Sequence, residues 1–155
     1  MLSNGAGRPA PRPHRPPVGQ TAPVTPHPHD EPIRVTSGSP FEASIGFSRA
    51  VRVGDRILVA GTGPVWPDGS CSDDPAEQAQ RCFEIIGLSL EEAGAGLADV
   101  VRTRMFLTSV ADADAVGDMH GRLFGAIRPV ATMVVVAGLL DPRWKVEIEA
   151  EAYVT

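Results

Sequence analysis

Three glutamates, Glu147, Glu149 and Glu151, recur at every second position near the end of the 155-residue chain, with Val146, Ile148, Ala150 and Ala152 interleaved. A period of two puts the carboxylates on one face of a strand and the apolar residues on the other. That acidic face has three readings. It is a solvated sheet surface, or a cross-strand charge ladder with Arg102 and Arg104, which carry the opposite charge at the same period. In the third reading one glutamate lies in a cleft and activates a water, a task suited to a carboxylate whose pKa is raised by partial burial. Spacing does not choose between Glu147 and Glu149. His120 falls beside Met119 and the apolar stripe of Val116 and Phe124. It either satisfies a local hydrogen bond or touches a ligand, and with no paired ligand or nucleophile at a matching spacing it does not define a catalytic site. Ser44, Ser48, Thr62 and Thr132 offer hydroxyls, none in a nucleophile elbow. Gly61-Thr62-Gly63 has no following lysine or helix start, so it is not a phosphate loop and reads as a place where backbone approaches something closely. Cys71 and Cys82 form no zinc pattern with each other or with His120. Cys82 fits a reduced core thiol. No metal and no cofactor are expected.

The elements that must position these residues follow from pattern and turn chemistry. Phe47 to Val53 and Arg56 to Gly61 flank Gly54-Asp55 and predict a β-hairpin. Trp66-Pro67-Asp68-Gly69 is a turn. Asp74-Pro75-Ala76-Glu77 combines a capping acid, a proline at the first helical position and a glutamate three residues past the cap, so a helix starts there. Ala79, Phe83, Ile86, Leu90 and Ala93, with Cys82 alongside, make its buried stripe, and Gly94 and Gly96 end it. Val100 to Leu107 reads as a strand with Val101, Thr103, Met105 and Leu107 on one face and Arg102, Arg104 and Phe106 on the other. A second helix is expected over Ala111 to Phe124, with Val116, Met119, Leu123 and Phe124 inward. Arg128-Pro129 breaks the chain, Ala131 to Ala137 is an apolar strand, Leu140-Asp141-Pro142 turns, and Lys145 to Val154 is the last strand. Strand and helix signals alternate, which predicts a mixed α/β domain with helices covering a sheet.

Composition bounds the rest. One domain of 16.3 kDa fits, with 43% hydrophobic and 21% charged residues. Nine of the 15 prolines lie in the first 32 residues, and residues 1 to 29 hold Arg8, Arg12 and Arg15 with no acid. The remainder carries 11 basic and 19 acidic residues, so a +3 segment precedes a −8 body. Residues 1–32 are therefore expected to be a disordered Pro-rich tail, either a docking arm or a passive extension, and residues 33–155 the folded domain. Its histidines, His14, His27 and His29, receive no role. An acidic body disfavours nucleic acid and suits a small-molecule ligand. No stretch is long and apolar enough to span a membrane and the start has no apolar secretory core, so a cytoplasmic location is expected.

Five stretches occur together in order: Ile45-Gly46-Phe47-Ser48-Arg49-Ala50-Val51; Val59-Ala60-Gly61-Thr62-Gly63-Pro64; Glu91-Glu92-Ala93-Gly94 through Leu97-Ala98-Asp99-Val100-Val101-Arg102-Thr103; Phe106-Leu107-Thr108; and Val146-Glu147-Ile148-Glu149-Ala150. Over residues 40 to 154 the chain resembles the RidA family, also called YjgF-like or L-PSP endoribonuclease-like. The resemblance implies a chorismate-mutase-like mixed sheet covered by two helices, assembled as a homotrimer with small-molecule clefts between subunits. It also implies hydrolysis of enamines and imines with release of ammonia, an arginine gripping the substrate carboxylate and a glutamate, here Glu147, helping water to add.

The chain departs from that pattern. Where deaminating relatives read Pro-x-Arg-Ser or Pro-x-Arg-Thr, it reads Pro129-Val130-Ala131-Thr132, so Ala131 stands at the arginine position. Loss of that charged contact is worth roughly 1.5–3 kcal/mol in binding. Phe47 replaces the usual tyrosine and Gly117 the cleft asparagine; Gly61 and Glu147 persist. Arg128 or Arg104 could supply a cation from a new direction, while Phe47 and Met133 would make the pocket apolar. Thr62 and His120 complete the ligand-facing candidates. Two functions follow: a hydrolase or deaminase of an imine-like metabolite with altered substrate, or a trimer that binds a small molecule or partner without turnover. RNA cleavage finds no acid/base histidine pair.

Overall fold

The structure, a computed structural model, describes residues 31–155. The expectation of a disordered tail concerns residues that lie, apart from Glu31 and Pro32, outside the described ones. Six strands form one sheet: β1 (Ile33–Val35), β2 (Ala50–Val53), β3 (Arg56–Thr62), β4 (Val100–Leu107), β5 (Val130–Val135) and β6 (Val146–Tyr153), in the order β1-β2-β3-β6-β4-β5. β4 and β5 run parallel and every other pair antiparallel. Helices α1 (Pro75–Glu92) and α2 (Ala113–Phe124) pack on each other, and α1 lies against β3 and β6.

The last strand alternates as its sequence demands. Val146, Ile148, Ala150 and Ala152 are buried under the helices, together with Val59, Met105 and Leu107 from neighbouring strands, and the three glutamates face away. Phe83, Ile86 and Leu90 of α1 complete that core, and Phe83 meets Phe124 edge-on at 5.2 Å between ring centroids. Gln78 is fully buried but satisfied. Its amide donates to the carbonyls of Ser72 (2.6 Å) and Arg143 (3.0 Å) and accepts from the Lys145 backbone at 2.7 Å, which ties the loop before α1 to the entry of β6.

The start of α1 forms at the expected residue. The Asp74 carboxylate accepts from the Ala76 amide at 2.8 Å, while Glu77 reaches the Ser72 hydroxyl at 2.5 Å, which accepts in turn from the Asp74 amide. The capping box is therefore relayed through a serine. Asp74→Ala removes one orphan-donor partner and is expected to cost about 0.5–2 kcal/mol, read as a lower urea midpoint at unchanged slope. At the other end Gly94 adopts φ +81, and the Ala95 amide bonds back to Leu90.

Five local expectations are corrected. The hairpin turns at Gly54 (φ 57), but its first strand begins at Ala50, because Glu42–Gly46 winds into a π-helical turn whose exit holds Phe47 and Ser48 in irregular backbone. Val101 does not share the face of Thr103. The β4–β6 register shifts between Val100 and Arg102, so Val101 is the extra residue of a bulge and turns outward while Val100 is buried in its place. Leu123 is exposed instead of inward, and α2 begins at Ala113 behind a short 3-10 turn, Val110–Asp112. The apolar strand spans Val130–Val135, and as the sheet edge it is exposed at every residue but Met133.

Candidate functional site

The open face of the sheet decides between the acidic residues. In register, Arg104 stands opposite Glu149 and Arg102 opposite Glu151. Arg104 binds Glu149 and reaches Glu151 at 3.3 Å; Glu151 is also met by Arg102 at 3.7 Å and by Arg56 at 2.8 Å. The charge ladder therefore exists, and it consumes two of the three carboxylates. Glu147 is left outside it. Its neighbour in β4 is Phe106, which offers no charge.

On its other side Glu147 meets the irregular end of β3. The β3–β6 register slips between Val59 and Thr62, and there the strand carries Gly61 without a side chain. A Cβ on Gly61 would fall 2.2 Å from Glu147 Oε1 and 3.2 Å from its carboxyl carbon. The carboxylate thus rests on glycine backbone. Gly63 does the same for Trp144: a Cβ there would sit 2.5 Å from the indole ring. Thr62, between them, is buried and donates its hydroxyl to the Ala60 carbonyl at 2.9 Å, so it faces the core. Gly61 and Gly63 therefore form a ledge with an acid and an aromatic ring on its outer side.

Behind the ledge lies Arg49. Its guanidinium donates to the carbonyls of Ala60 and, at 2.7 Å, Gly61. Glu42 stands nearby in the π-helical turn, buried and held by Thr36 and by the Ser37 amide (3.0 Å) and hydroxyl (2.6 Å). Burial of Glu147 pushes its pKa above the ordinary carboxylate value, against the charge of Arg49, which pulls it down; Glu149 pushes the same way as burial. The result is a part-buried acid whose proton affinity is raised.

The other candidates gather elsewhere. His120 Nε2 lies 2.9 Å from the buried Thr103 hydroxyl and packs its ring on Phe124 at 4.8 Å; burial lowers its pKa, which favours the neutral ring. Ala131 pairs with Thr103 in the β4–β5 register, and Met133 lies within 3.9 Å of a Cβ placed on Gly117. Gly117, His120, Ala131 and Met133 thus form a second cluster on the helix side of the β5 edge. Phe47 is exposed at the exit of the π-helical turn. Arg128 is exposed after α2 with φ 55, its Nε directed at the Gly125 carbonyl at 3.3 Å, and Arg104 is held in the charge ladder. Within one chain the Glu147 ledge and the Ala131 cluster lie on opposite faces of the sheet, so one copy does not bring them together.

Sequence reasoning missed Arg49 as a site residue and missed Trp144. The Gly-x-Gly spacing was the available signal for both, since each glycine marks a close approach. Among the described residues no group of three or more histidine, cysteine or acidic side chains could hold a metal, and no helix is long and apolar enough to cross a membrane.

A twisted mixed sheet with two helices on one face and a lone acid on a glycine ledge on the other defines a small α/β protein of the YjgF type. Residues 37–154 match the sequence model described as endoribonuclease L-PSP. The chain belongs to that family, the RidA/YjgF-like proteins. It is 46% identical over 121 residues to uncharacterized protein SCO2049 of Streptomyces coelicolor, covering 77% of this chain and 90% of that one. It is 32% identical over 115 residues to the 2-iminobutanoate/2-iminopropanoate deaminase of Salmonella typhimurium, covering 71% and 89%. Among solved structures, a YjgF/YER057c/UK114 family member from Mycobacterium tuberculosis superimposes with a TM-score of 0.74 at 46% identity, over 80% of this chain and 100% of that one.

Proposed function

We propose that the protein hydrolyses an imine-like small metabolite, with Glu147 as the residue that positions and deprotonates water, in a cleft completed by a neighbouring copy in a homotrimer. The observation that carries this reading is the Glu147 carboxylate, part-buried on Gly61 and outside the ion pairs that engage Glu149 and Glu151. In the reaction water's oxygen bonds to the imine carbon as Glu147 takes one of its protons, the C=N electron pair moves to nitrogen, and Glu147 passes that proton to the nitrogen, giving a carbinolamine. Glu147 then takes the hydroxyl proton and delivers it to the amine as the C–N bond breaks, leaving a carbonyl compound and ammonia with the carboxylate regenerated. The separation of the Ala131 cluster from the ledge, and the exposed apolar edge of Val130, Val134 and Val135, support completion of the cleft by a second copy.

With Ala131 in place of an arginine, and with Arg104 paired and Arg128 turned to its own helix end, the carboxylate of a 2-imino acid has no guanidinium clamp at that position. The substrate is thus an imine that depends less on a carboxylate anchor. The test is ammonia release from freshly generated 2-iminopropanoate and from an imine without a carboxylate. Wild type is expected to exceed Glu147→Ala on at least one of them, and equal rates on both contradict the reading.

A second reading, binding without turnover, is favoured by the low polarity of the other cluster, where Ala131, Met133 and Gly117 offer no polar side chain and His120 is already engaged with the Thr103 hydroxyl. In that case metabolites raise the melting temperature by mass action and none is consumed.

A further inference from the structure

Arg49 Nε is buried and has no hydrogen-bond partner among the described residues, although the same guanidinium donates through Nη2 to two consecutive backbone carbonyls. A buried charged donor left unpaired is costly, and such a group calls for an explanation. Three features suggest one. The two carbonyls belong to Ala60 and Gly61, the residues at which β3 slips out of register with β6. Gly61 is the glycine against which the Glu147 carboxylate packs. Arg49 also enters no ion pair within 4 Å among the described residues, so its charge is not spent on a direct partner and acts on what surrounds it.

We propose that Arg49 is the positioning residue of this site: it pins the irregular end of β3 so that Gly61 stays under the Glu147 carboxylate, and it keeps a positive charge behind that carboxylate. The inference rests on Glu147 being the functional acid. Arginine suits the task better than lysine, because the rigid planar guanidinium holds Nη2 in a fixed direction between the two carbonyls while an ammonium is a point charge on a flexible stem. The charge has a definite effect. Burial and Glu149 both favour the protonated form of Glu147, and Arg49 opposes them. The other titratable groups around the pair are Glu42 in the π-helical turn, which faces Arg49, and the Cys82 thiol of α1, which burial keeps protonated; β4 contributes Phe106.

The experiment is a 13C NMR titration of the full chain labelled at glutamate side-chain carboxyls, with Glu147 assigned by the signal lost in Glu147→Gln. It uses no substrate, so it succeeds or fails independently of any hydrolytic activity. In Arg49→Met the Glu147 midpoint is expected to rise by about one pH unit. In Arg49→Lys the charge is kept and the rigid planar donor lost, so the midpoint is expected to stay within about half that shift, while amide exchange at Gly61, Thr62 and Gly63 quickens at least about tenfold. An unmoved midpoint in folded Arg49→Met overturns the electrostatic role, and unchanged amide exchange in Arg49→Lys overturns the pinning role. Should Arg49→Met fail to fold, the exchange rates of Arg49→Lys decide: unchanged rates overturn the proposal and faster rates support it. A merely structural arginine would alter global stability without moving the Glu147 titration.

Discussion

Glu147→Gln is expected to lower turnover of an imine substrate by about 10²–10⁴-fold and at the same time to leave the protein at least as stable as wild type at neutral pH. The rate loss follows from the chemistry. Glutamine keeps the shape and the hydrogen-bonding oxygen and cannot take water's proton. The stability gain follows from the direction of the pKa shift. Glu147 is raised in the folded state, chiefly by burial, so the folded protein binds a proton more tightly than the unfolded chain does. Stability from this group is therefore present at low pH and lost as pH rises from the unfolded pKa through the folded one. At neutral pH the ionised carboxylate costs stability, and the neutral amide removes that cost. Melting temperatures of the two proteins should converge on acidification below the usual carboxylate range. Activity should show the complementary dependence, rising with pH through an acid limb that lies above the ordinary carboxylate value. A Glu147→Gln protein that melts well below wild type at neutral pH while turnover is unaltered would assign Glu147 to structure instead.

Gly61→Ala carries the second large effect, and its argument is steric. The added methyl would lie 2.2 Å from Glu147 Oε1, a distance that nonbonded atoms do not tolerate. The atom it meets is the far end of a flexible side chain, and Gly61 does not have a positive φ. The clash is therefore relieved by swinging the carboxylate away at little cost in folding. The position of the acid is what is lost. A displacement of about 1 Å in a catalytic group costs on the order of 10²-fold in rate, so Gly61→Ala is expected to keep its unfolding midpoint and lose most of its turnover. Loss of stability with turnover per folded molecule retained would show that the ledge serves packing alone.

Much of this arrangement is legible in the sequence alone. The alternation of Val146 to Ala152, the capping run Asp74 to Glu77 and the stripe from Ala79 to Ala93 are local signals whose physics is complete within a few residues, and the folded chain follows them. The Arg102/Arg104 ladder was legible because charge and period both repeat. Its consequence was not. Only the register, which pairs Arg104 with Glu149 and Arg102 with Glu151, shows that Glu147 is the acid left over. Val101 misled because a one-residue bulge has no composition of its own and inverts the side on which a β-branched residue lies. Leu123 misled because a helix edge and a helix face differ by a few tens of degrees. Arg49 was missed for a different reason. Its partners, the carbonyls of Ala60 and Gly61, belong to the backbone, and no side-chain pattern announces them. Gly61 was the visible trace, since a glycine at a strand end implies that something comes close, without saying what.

The fold also separates two half-sites that the family pattern treats as one. Ala131, Met133, Gly117 and His120 lie on the helix side of the sheet edge, and Glu147 with Gly61 on the open side. The exposed apolar residues of β5, and Leu58 with Val130 and Val134 on the open face, are what a second copy would cover. The central claim is therefore that the functional cleft exists between copies. Sedimentation equilibrium of the purified chain at micromolar concentration tests it most directly. A particle of three times the 16.3 kDa chain mass is the expected result, and a particle that remains at 16.3 kDa contradicts the account.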